Sequence, residues 1–536
     1  MKKNSNLYHG GMIIIGMLVM ISCVLLCFYK GGMILSDKED SSKAVRMAAY
    51  NKANGIEGNI VDVNDLPIMT PDAPVSVKNT AVPFEYAHLL GYNSIARGQS
   101  GLRAVYHDQL YDYTEKGEPV RPGEDPSKKP ELKGATLKLT INDKIQKLAY
   151  RQLKINSGAP NENKVASAVV LDVKTGDVIA MTSINNIDYD VSKIDDEAYY
   201  NKYSQIKEFF FNLPTGIPEA PGSVFKIVTA AIAIDNELEN TEYDDRKSGL
   251  DHIESGEIAG GNYMVSPESK PITNHGQENG RVFAYADEEG NVKGIDMQLA
   301  LNRSLNTYFA YLGREKIGQS MLSDYMNKFK VDTEMAKENV YRYNLDLGFV
   351  KLPSYVGFDT GYMSEEDAKG FNPEFNLANT FYGQGRLALT PLHIAMMGQA
   401  LCNDGKMLTP RLVKSVTRAD GTVISDKNKV MLDEAQVVSP ETSKKLKEYL
   451  YKVTTDDVYG AFSALKGIKD KSGNTIRVYS KTGTAEVPGG GDKIYHAYLI
   501  TMTDDYVVLI STNRTTASGG SHAKINAEIL KALYSL

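Results

Sequence analysis

Pro221-Gly-Ser-Val-Phe-Lys226 opens a run that stays apolar on nearly every face as far as Ile234. Such a run predicts a helix buried inside a domain. A lysine is costly to bury there as a purely structural residue, and it is easier to explain if it faces a site. Residues three apart share a helix face, so we expect Lys226 beside Ser223. A Pro-Gly turn before a core helix explains the apolar run but not the lysine.

A second motif, Ser304-Leu-Asn306, lies in a stretch that looks helical but is broken by polar residues able to hydrogen-bond locally. A helix-capping Ser/Asn pair is the alternative interpretation.

A third motif, Lys481-Thr482-Gly483-Thr484, follows a β-type run, and two more such runs come after it, His496 to Met502 and Tyr506 to Thr512. The pattern predicts the first strand of an antiparallel meander, with Gly483 letting a ligand approach the backbone.

The three motifs in this order are the parts of a serine acyl-transferase that uses no histidine. None is specific alone. Lys174-Thr-Gly176 repeats the third motif between two β-type runs, 168–172 and 177–181, where a hairpin turn is predicted. Further copies of the first two occur at Ser204/Lys207, Ser463/Lys466, Ser521/Lys524, Ser183/Asn185 and Ser472/Asn474.

Length and composition bound the possibilities. A chain of 536 residues predicts two or three domains. The net charge of −7 gives no reason to propose nucleic acid as a partner. Of the three cysteines, Cys23 and Cys27 lie in an apolar N-terminal segment, so no internal disulfide is expected around Cys402. The eight histidines lack metal-ligand spacing, and we predict no metal.

The stretch from Gly10 to Tyr29 contains no charged residue. Its roughly 20 residues, at about 1.5 Å each, would span one bilayer core. Lys2 and Lys3 precede it, which places the N-terminus in the cytoplasm and the remainder outside. A cleaved signal peptide is the alternative; the length of the run and the lack of a clear cleavage site favour a retained anchor.

With these three motifs in this order, the chain resembles a class B penicillin-binding protein. The resemblance covers nearly all of the exported part and rests on the three motifs together with further signatures: Leu139-Thr-Ile-Asn-Asp143, Tyr382-Gly-Gln-Gly385, Leu389-Thr-Pro391, Asn403-Asp-Gly405, His88-Leu-Leu-Gly91 and Gly98-Gln-Ser-Gly-Leu102.

The resemblance implies an α/β (α+β) fold: a transpeptidase domain like that of penicillin-binding proteins and serine β-lactamases, with a central antiparallel sheet flanked by helices. A small β-rich N-terminal domain and a transmembrane helix would precede it. The expected divisions are a cytoplasmic tail (1–9), an anchor (10–30), an N-terminal pedestal domain with linker (31–134) and the transpeptidase domain (135–536).

Four positions depart from the family pattern. Glu57 stands where an Arg is usual and Asp65 where a Gly is usual, which questions the geometry of the N-terminal domain. Ser480 replaces a Gly that often precedes the Lys-Thr-Gly, and His496-Ala-Tyr498 lacks a Trp common after that His. We expect the departures at Ser480 and after His496 to loosen the edge of the site next to the third motif.

The resemblance also implies residue roles. Ser223 would be the nucleophile and Lys226 its base, since a serine hydroxyl is weak until a base takes its proton. Burial and the second cation Lys481 would lower the pKa of Lys226. Ser304 would relay a proton toward the leaving group. The remaining residues would bind the substrate. Asn306 would bind its peptide amide, and backbone N–H groups of Ser223 and Thr484 would form the oxyanion hole. Thr482, Gly483 and Thr484 would hold its terminal carboxylate.

The implied function is a D,D-transpeptidase that cross-links peptidoglycan stem peptides through an acyl-serine and is acylated by β-lactam antibiotics. It would need no cofactor, and a membrane-embedded glycan polymerase would be its partner. One alternative is a carboxypeptidase or β-lactamase, in which water replaces the amine. The other is a non-catalytic β-lactam sensor or scaffold that keeps the pocket.

Overall fold

The computed structural model describes residues 55–112, 133–156, 165–185, 187–206, 209–247, 260–267, 269–331, 372–385, 387–426, 434–487 and 494–536, with three short strands between 344 and 356. Within these ranges no helix is both long and apolar enough to span a bilayer. The predicted anchor (10–30) lies outside the described residues.

A five-stranded antiparallel sheet forms the centre of the molecule. Its spatial order is Tyr479–Glu486, Tyr495–Met502, Tyr506–Thr515, Val165–Asp172, Val178–Ile184. The meander predicted after Lys481 and the hairpin predicted around Lys174 are therefore both confirmed. The first strand of this order, Tyr479–Glu486, lies at the sheet edge, and we call it the edge strand.

Helices cover both faces of this sheet. An added Cβ on Gly398, in helix Pro391–Cys402, would meet the side chains of Ile500 and Met502. The side chain of Asn526, in helix Ala523–Tyr534, instead donates to the Thr501 hydroxyl at 2.8 Å. Successive side chains point to opposite faces of a strand, so these two helices lie on opposite faces. The central sheet is thus buried on both sides, which confirms the predicted α/β (α+β) fold with a central antiparallel sheet flanked by helices.

The apolar run after Pro221 forms a 3₁₀ turn, Gly222–Phe225, which together with Pro221 we call the nucleophile turn because it carries the predicted nucleophile Ser223. The α-helix Lys226–Asp235 follows, and we call it the nucleophile helix. Every residue from Lys226 to Ile234 is buried, as the all-round apolar pattern predicts. The turn packs against the edge strand. At the other end, Asp235 accepts hydrogen bonds from Ser439 N and the Thr442 hydroxyl, which fixes the helix to the start of helix Pro440–Asp456.

A second five-stranded sheet joins the N-terminal segment to the rest of the chain. Its order is Val423–Asp426, Val413–Thr417, Thr136–Leu139, Ile60–Val61, Pro67–Met69, and Ile60–Val61 runs parallel to Thr136–Leu139. Helix Phe84–Leu90 packs on strand Val178–Ile184 of the central sheet, where the Thr182 hydroxyl donates to Glu85 O at 3.0 Å. Residues 55–112 therefore contact the rest of the described chain through both strand pairing and helix packing.

The remaining elements surround these layers. The other helices are Gly101–Val105, His107–Leu110, Asp143–Asn156, Val191–Lys193, Glu197–Tyr203, Leu213–Gly216, Gly276–Glu278, Met297–Arg303, Asn306–Tyr311, Leu312–Ile317, Gly318–Lys328, Pro373–Thr380, Ser463–Leu465 and Gly519–His522. The other strands are Asn93–Ser94, Gly98–Gln99, Asn262–Tyr263, Ile272–Thr273, Tyr285–Ala286, Val292–Lys293, Asn344–Asp346, Phe349–Lys351, Tyr355–Val356, Leu387–Ala388, Lys406–Leu408 and Glu434–Gln436.

The unusual Glu57 has a buried partner. Arg103 donates to its carboxylate through Nε at 2.9 Å and through Nη2 at 2.5 Å, and both side chains are at most 3% exposed. Asn93 Nδ2 adds a third hydrogen bond at 3.2 Å. The unusual Asp65 adopts a left-handed φ of 65°, a region that Asp tolerates better than most residues. Both departures are thus accommodated locally.

We predict that Glu57→Gln destabilises the protein by about 3–5 kcal/mol, because it leaves a buried guanidinium without its counter-charge. The shift of the urea unfolding midpoint measures this loss. Lys147→Met, which breaks the exposed pair between Lys147 and Asp143, is the matched control and should cost at most about 1 kcal/mol. Equal losses in the two variants would contradict the assignment of a buried pair.

Candidate active site

Ser223 and Lys226 meet at the start of the nucleophile helix. The change from 3₁₀ turn to α-helix falls between them, and Lys226 Nζ donates to Ser223 Oγ at 2.9 Å. The lysine side chain is 0% exposed, whereas Ser223 keeps partial exposure at the wall of a cleft. The Ser223 hydroxyl is therefore accessible to a ligand, whereas the Lys226 amine behind it is shielded from solvent.

Lys226 also reaches the second motif. Its Nζ donates to the Ser304 carbonyl at 2.6 Å and to Asn306 Oδ1 at 2.7 Å, and lies 3.3 Å from the Ser304 hydroxyl. All of these partners are neutral oxygens. Lys226 is thus held in place by hydrogen bonds without a counter-ion.

Ser304 lies at a break between helices Met297–Arg303 and Asn306–Tyr311, with a left-handed φ of 56°. Such strained backbone is found where the surrounding structure imposes it, commonly at functional sites. The conformation places the Ser304 hydroxyl between two amines, because Lys481 Nζ donates to it at 2.8 Å. The break predicted from the polar residues of this stretch is confirmed.

The edge strand presents two different faces. Lys481, Gly483 and Ala485 are buried, while Thr482 and Thr484 are partly exposed and line the cleft. Lys481 is 1% exposed and donates also to the Thr482 carbonyl at 3.2 Å. The strand period of two therefore separates an internal amine from the hydroxyls that a ligand can contact.

Burial controls the charge of both amines. Desolvation lowers the pKa of Lys226 well below its ordinary value, and the positive charge of Lys481 lowers it further. Desolvation also lowers the pKa of Lys481, to about 7. Because the two amines share the Ser304 hydroxyl, their protons are lost in coupled steps. Burial thus favours the neutral form of the amine beside Ser223, which a free lysine seldom adopts at neutral pH.

Asn306 is held on both sides of its amide. Oδ1 accepts from Lys226, and Nδ2 donates to the Thr273 carbonyl at 3.0 Å. An amide nitrogen carries two hydrogens, so one N–H remains for a ligand. Asn274, next in the chain, is buried and accepts from Thr307 N at 3.2 Å. Sequence reasoning missed Thr273 and Asn274, since no motif marks this part of the chain.

Glycines let the nucleophile turn lie against two other segments. A Cβ on Gly483 would lie 2.9 Å from the Pro221 carbonyl, so this glycine admits the nucleophile turn. Its predicted contact with a ligand stays a prediction. Gly383, in the signature Tyr382-Gly-Gln-Gly385, has φ +87° and accepts from Gly222 N at 2.8 Å. A Cβ on Gly383 would lie 1.9 Å from Gly222 O, so only glycine fits there.

These groups open into a cleft of about 610 Å³. Lys226 and Lys481 lie behind its surface. None of the described residues from the repeated motif copies lines it, and Lys174–Gly176 forms the hairpin turn instead. The groups that line it around Ser223 are Ser304, Asn306, Thr482, Thr484, Lys270, Pro271, Ile272, Thr273, His275, Gly276, Gln277, Glu278, Arg303, Phe375, Asn379, Tyr382, Gln384, Gly385, Tyr459, Ala461, Glu486, Tyr495, Ser518 and Gly520.

The predicted departures near the third motif have different consequences. Ser480 is fully buried, and its hydroxyl has no hydrogen-bond partner within the described part of the chain. His496 is buried, and its Nε2 lies 3.3 Å from Glu219 Oε2. Glu219 in turn pairs with Leu389 through its backbone. These contacts connect the strand at His496 to its neighbours, and the expected loosening of the site edge stays a prediction.

In the described ranges no group of three or more His, Cys, Asp or Glu side chains is placed to hold a metal ion.

Comparison with known proteins identifies the family. A family model described as the penicillin binding protein transpeptidase domain matches residues 166–260 and 258–535. The chain belongs to this family, and its predicted resemblance to class B penicillin-binding proteins is confirmed.

The individual relatives share less than a third of their residues with this chain over the matched lengths. Penicillin-binding protein PbpB of Mycolicibacterium smegmatis is 29% identical over 68% of this chain and 47% of its own length. Stage V sporulation protein D of Bacillus subtilis is 25% identical over 82% of this chain and 60% of its own. The chain thus spans about half to three fifths of the length of these relatives. A structure of penicillin-binding protein A from M. tuberculosis, a ceftriaxone acyl-enzyme complex, shares the fold at a TM-score of 0.65 and 20% identity, covering 90% of this chain and 99% of that one.

We predict a bell-shaped pH dependence for kcat/KM of acylation. The rate should rise with pH as the Lys226 amine loses its proton, because only the neutral amine accepts one from Ser223. It should fall with pH near 7, the pKa of Lys481, as that amine loses the charge that attracts a substrate carboxylate. Stopped-flow acylation by a fluorescent penicillin between about pH 5 and 10 measures both limbs.

Lys226→Arg removes the titrating amine, since a guanidinium stays charged, and should slow acylation at least about a hundredfold. Lys466→Arg, in a repeated copy of the first motif, is the control and should leave the profile unchanged. A rising limb at the pKa of ordinary lysine would rule out the proposed base.

We predict that Gly383→Ala slows acylation at least tenfold, roughly 1.4 kcal/mol or more in activation free energy, because its Cβ would displace the nucleophile turn. Gly421→Ala is a matched control: Gly421 has the same φ of +87°, but a Cβ there meets nothing within 4 Å. Both variants place a side chain at the same left-handed φ, so equally slow acylation in the two would contradict a specific effect of the close contact at Gly383. Penicillin acylation kinetics at one pH measure the difference.

Proposed function

We propose that this protein is a serine D,D-transpeptidase that cross-links peptidoglycan stem peptides and is acylated by β-lactams. The observation that carries the proposal is the continuous hydrogen-bond path from Ser223 through Lys226 and Ser304 to Lys481. One end of the path is a hydroxyl open to the cleft. Another M. smegmatis relative, 23% identical over 75% of this chain, is named peptidoglycan D,D-transpeptidase PbpA, and the M. tuberculosis structure holds a β-lactam acyl-enzyme. Both support this chemistry.

In acylation, neutral Lys226 takes the Ser223 proton while Oγ forms a bond to the carbonyl carbon of the penultimate D-alanine. The carbonyl oxygen gains negative charge, for which the N–H groups of Ser223 and Thr484 serve as donors, each worth roughly 10²–10³ in rate. The C–N bond then breaks. The leaving nitrogen receives a proton through the Ser304 hydroxyl, and D-alanine departs.

The second step reverses the proton traffic. The amine of another stem peptide attacks the acyl-Ser223 carbonyl and gives up a proton to Lys226. The ester bond breaks, and Ser223 regains its proton as the new amide forms. Water attacking at this stage would yield a carboxypeptidase or β-lactamase instead.

Substrate binding falls to the cleft face of the edge strand. Thr482 and Thr484 present hydroxyls to the terminal carboxylate, with the Lys481 charge behind them and the backbone of Gly483 between. The remaining N–H of Asn306 donates to the carbonyl of the peptide. The donor peptide lies along the edge strand, whose outer side pairs with no other described strand.

The proposal extends to location and partner. Residues 10–30 would anchor the chain by a single span, with 1–9 in the cytoplasm, 31–134 as a pedestal with its linker and 135–536 as the catalytic domain outside. The uncharged run from Gly10 to Tyr29 after Lys2 and Lys3 supports this. A membrane-embedded glycan polymerase would supply the strands to be cross-linked.

We predict that labelled penicillin adds one adduct to the intact protein, located on the Ser223 peptide, and that Ser223→Ala abolishes it. Ser463→Ala, in a repeated motif copy, should still be labelled. Intact-mass spectrometry followed by peptide mapping measures both. An adduct on another residue would refute Ser223 as nucleophile, and loss of the adduct within seconds would favour the hydrolase.

A further inference from the structure

The backbone of Ser304 is held in a conformation that a serine seldom adopts. It directly follows helix Met297–Arg303, with a left-handed φ of 56° and ψ of 44°. The Leu305 N–H donates to Ala300 O at 2.9 Å and the Ser304 N–H to Leu301 O at 3.3 Å, which is the hydrogen-bond pattern of a Schellman motif. The left-handed position of that motif is usually glycine, because a Cβ is strained there. Contacts from outside the motif can offset this strain.

The helix after Ser304 has no cap of its own. Helix Asn306–Tyr311 begins after Leu305, whose apolar side chain makes no capping hydrogen bond. The first N–H groups of a helix have no partner inside it. Asn274 supplies one from another part of the chain, because its Oδ1 accepts from Thr307 N at 3.2 Å and from the Thr307 hydroxyl at 3.3 Å. Asn274 thus caps this helix through a tertiary contact, as an N-cap asparagine does within its own helix.

The helix before Ser304 is held by Glu278. The buried carboxylate of Glu278 accepts from Arg303 Nη1 at 2.8 Å, and Arg303 directly precedes Ser304 in the chain. The Tyr459 hydroxyl donates to the same carboxylate oxygen at 2.6 Å and lies 3.3 Å from the Arg303 carbonyl. These contacts fix the last residue of helix Met297–Arg303.

Asn274 and Glu278 belong to one short segment, residues 273–278, which we call the capping segment. They are its buried residues, and the other four are exposed. The Thr273 carbonyl adds a contact of its own, since Asn306 Nδ2 donates to it at 3.0 Å. The two buried side chains of the capping segment are both polar, and they bind the helices on the two sides of Ser304.

Resting on the proposed function, we infer that Asn274 and Glu278 are positioning residues for acyl transfer, which hold Ser304 in its left-handed conformation. That conformation places two oxygens of Ser304: its carbonyl accepts from Lys226 Nζ at 2.6 Å, and its hydroxyl accepts from Lys481 Nζ at 2.8 Å. A residue 304 that relaxed to a right-handed conformation would move both oxygens away from these amines. Asn274 and Glu278 therefore act through the backbone around Ser304.

The first test removes each contact in the full-length protein. Asn274→Ala and Glu278→Ala should each slow acylation by a fluorescent penicillin about tenfold or more, because a shift of about 1 Å can cost roughly a hundredfold in rate. Asn274→Asp keeps an oxygen that accepts from Thr307 N and should restore the rate to within about threefold of the wild type. Stopped-flow fluorescence measures the rates, and urea unfolding midpoints show that the variants are folded.

Two matched controls remove similar contacts elsewhere. Asp196→Ala removes the cap of helix Glu197–Tyr203, where Asp196 Oδ1 accepts from Tyr199 N at 3.1 Å. Arg281→Gln removes the other guanidinium from Glu278, which lies 3.4 Å away, and leaves Arg303 in place. Both controls should acylate at about the wild-type rate.

The second test asks whether Asn274 acts on the backbone of residue 304. Ser304→Ala and Ser304→Gly both lack the hydroxyl and should both acylate slowly, but only glycine adopts the left-handed region without strain. Adding Asn274→Ala should therefore slow the Ser304→Ala variant about tenfold further and the Ser304→Gly variant by less than about threefold. A merely structural role of Asn274 would slow the two backgrounds equally.

The inference is overturned if either Asn274→Ala or Glu278→Ala acylates at the wild-type rate, or if Asn274→Ala slows the Ser304→Ala and Ser304→Gly backgrounds equally. Should Asn274→Ala fail to fold, Glu278→Ala carries the same two comparisons. A wild type whose penicillin adduct is not on Ser223 refutes the proposed function itself. A wild type that is labelled on Ser223, with unaffected Asn274 and Glu278 variants, refutes only the positioning role.

Discussion

Two lysine amines buried around one serine hydroxyl are the constraint on which the rest of the structure depends. Within the described chain neither Lys226 nor Lys481 has a carboxylate partner, and both donate to neutral oxygens. An acidic partner would hold each amine charged and remove the base. The unfolded chain keeps ordinary lysine pKa values and therefore binds more protons than the folded chain. The two buried amines thus lower the free energy of unfolding below the pH at which free lysine titrates. That free energy rises with pH above about 7, as the amines of the unfolded chain lose their protons. The all-round apolar nucleophile helix and the double-covered sheet offset this cost.

The site is assembled from segments far apart in the chain, and close backbone contacts fix their relative positions. The nucleophile turn rests against Gly483 of the edge strand on one side and Gly383 on the other, with no room for a side chain at either. Ser304 reaches both amines only because its backbone is left-handed. These positions are demanding because a shift of about 1 Å can cost roughly a hundredfold in rate. Gly383, in the signature around Tyr382, therefore serves the geometry of the nucleophile turn.

The sequence predicted much of this and failed at identifiable places. Ser223, Lys226 and the edge strand followed from local patterns: a lysine inside an apolar run, and β-type runs in succession after Lys481. Patterns of this kind are set by neighbours along the chain. The buried pair of Glu57 and Arg103 could not be predicted in this way, since the two residues meet only through tertiary packing. Thr273 and Asn274 were missed for the same reason. They lie in a loop-rich segment without periodicity and contact the second motif only through tertiary packing.

That loop-rich segment, residues 239–293, contributes one part of the cleft wall. Its described part forms short strand pairs and one short helix, and it is attached to the second motif through Thr273 and Asn274. The hydroxyls and amines of the site lie on the nucleophile turn, the nucleophile helix, the helix break and the edge strand. His275 and Glu278, which line the cleft, belong to the attached segment. The Thr273 carbonyl of that segment accepts from Asn306, and Asn306 in turn accepts from Lys226. The segment therefore also bears on the position of the buried amine, although it lies outside the three motifs.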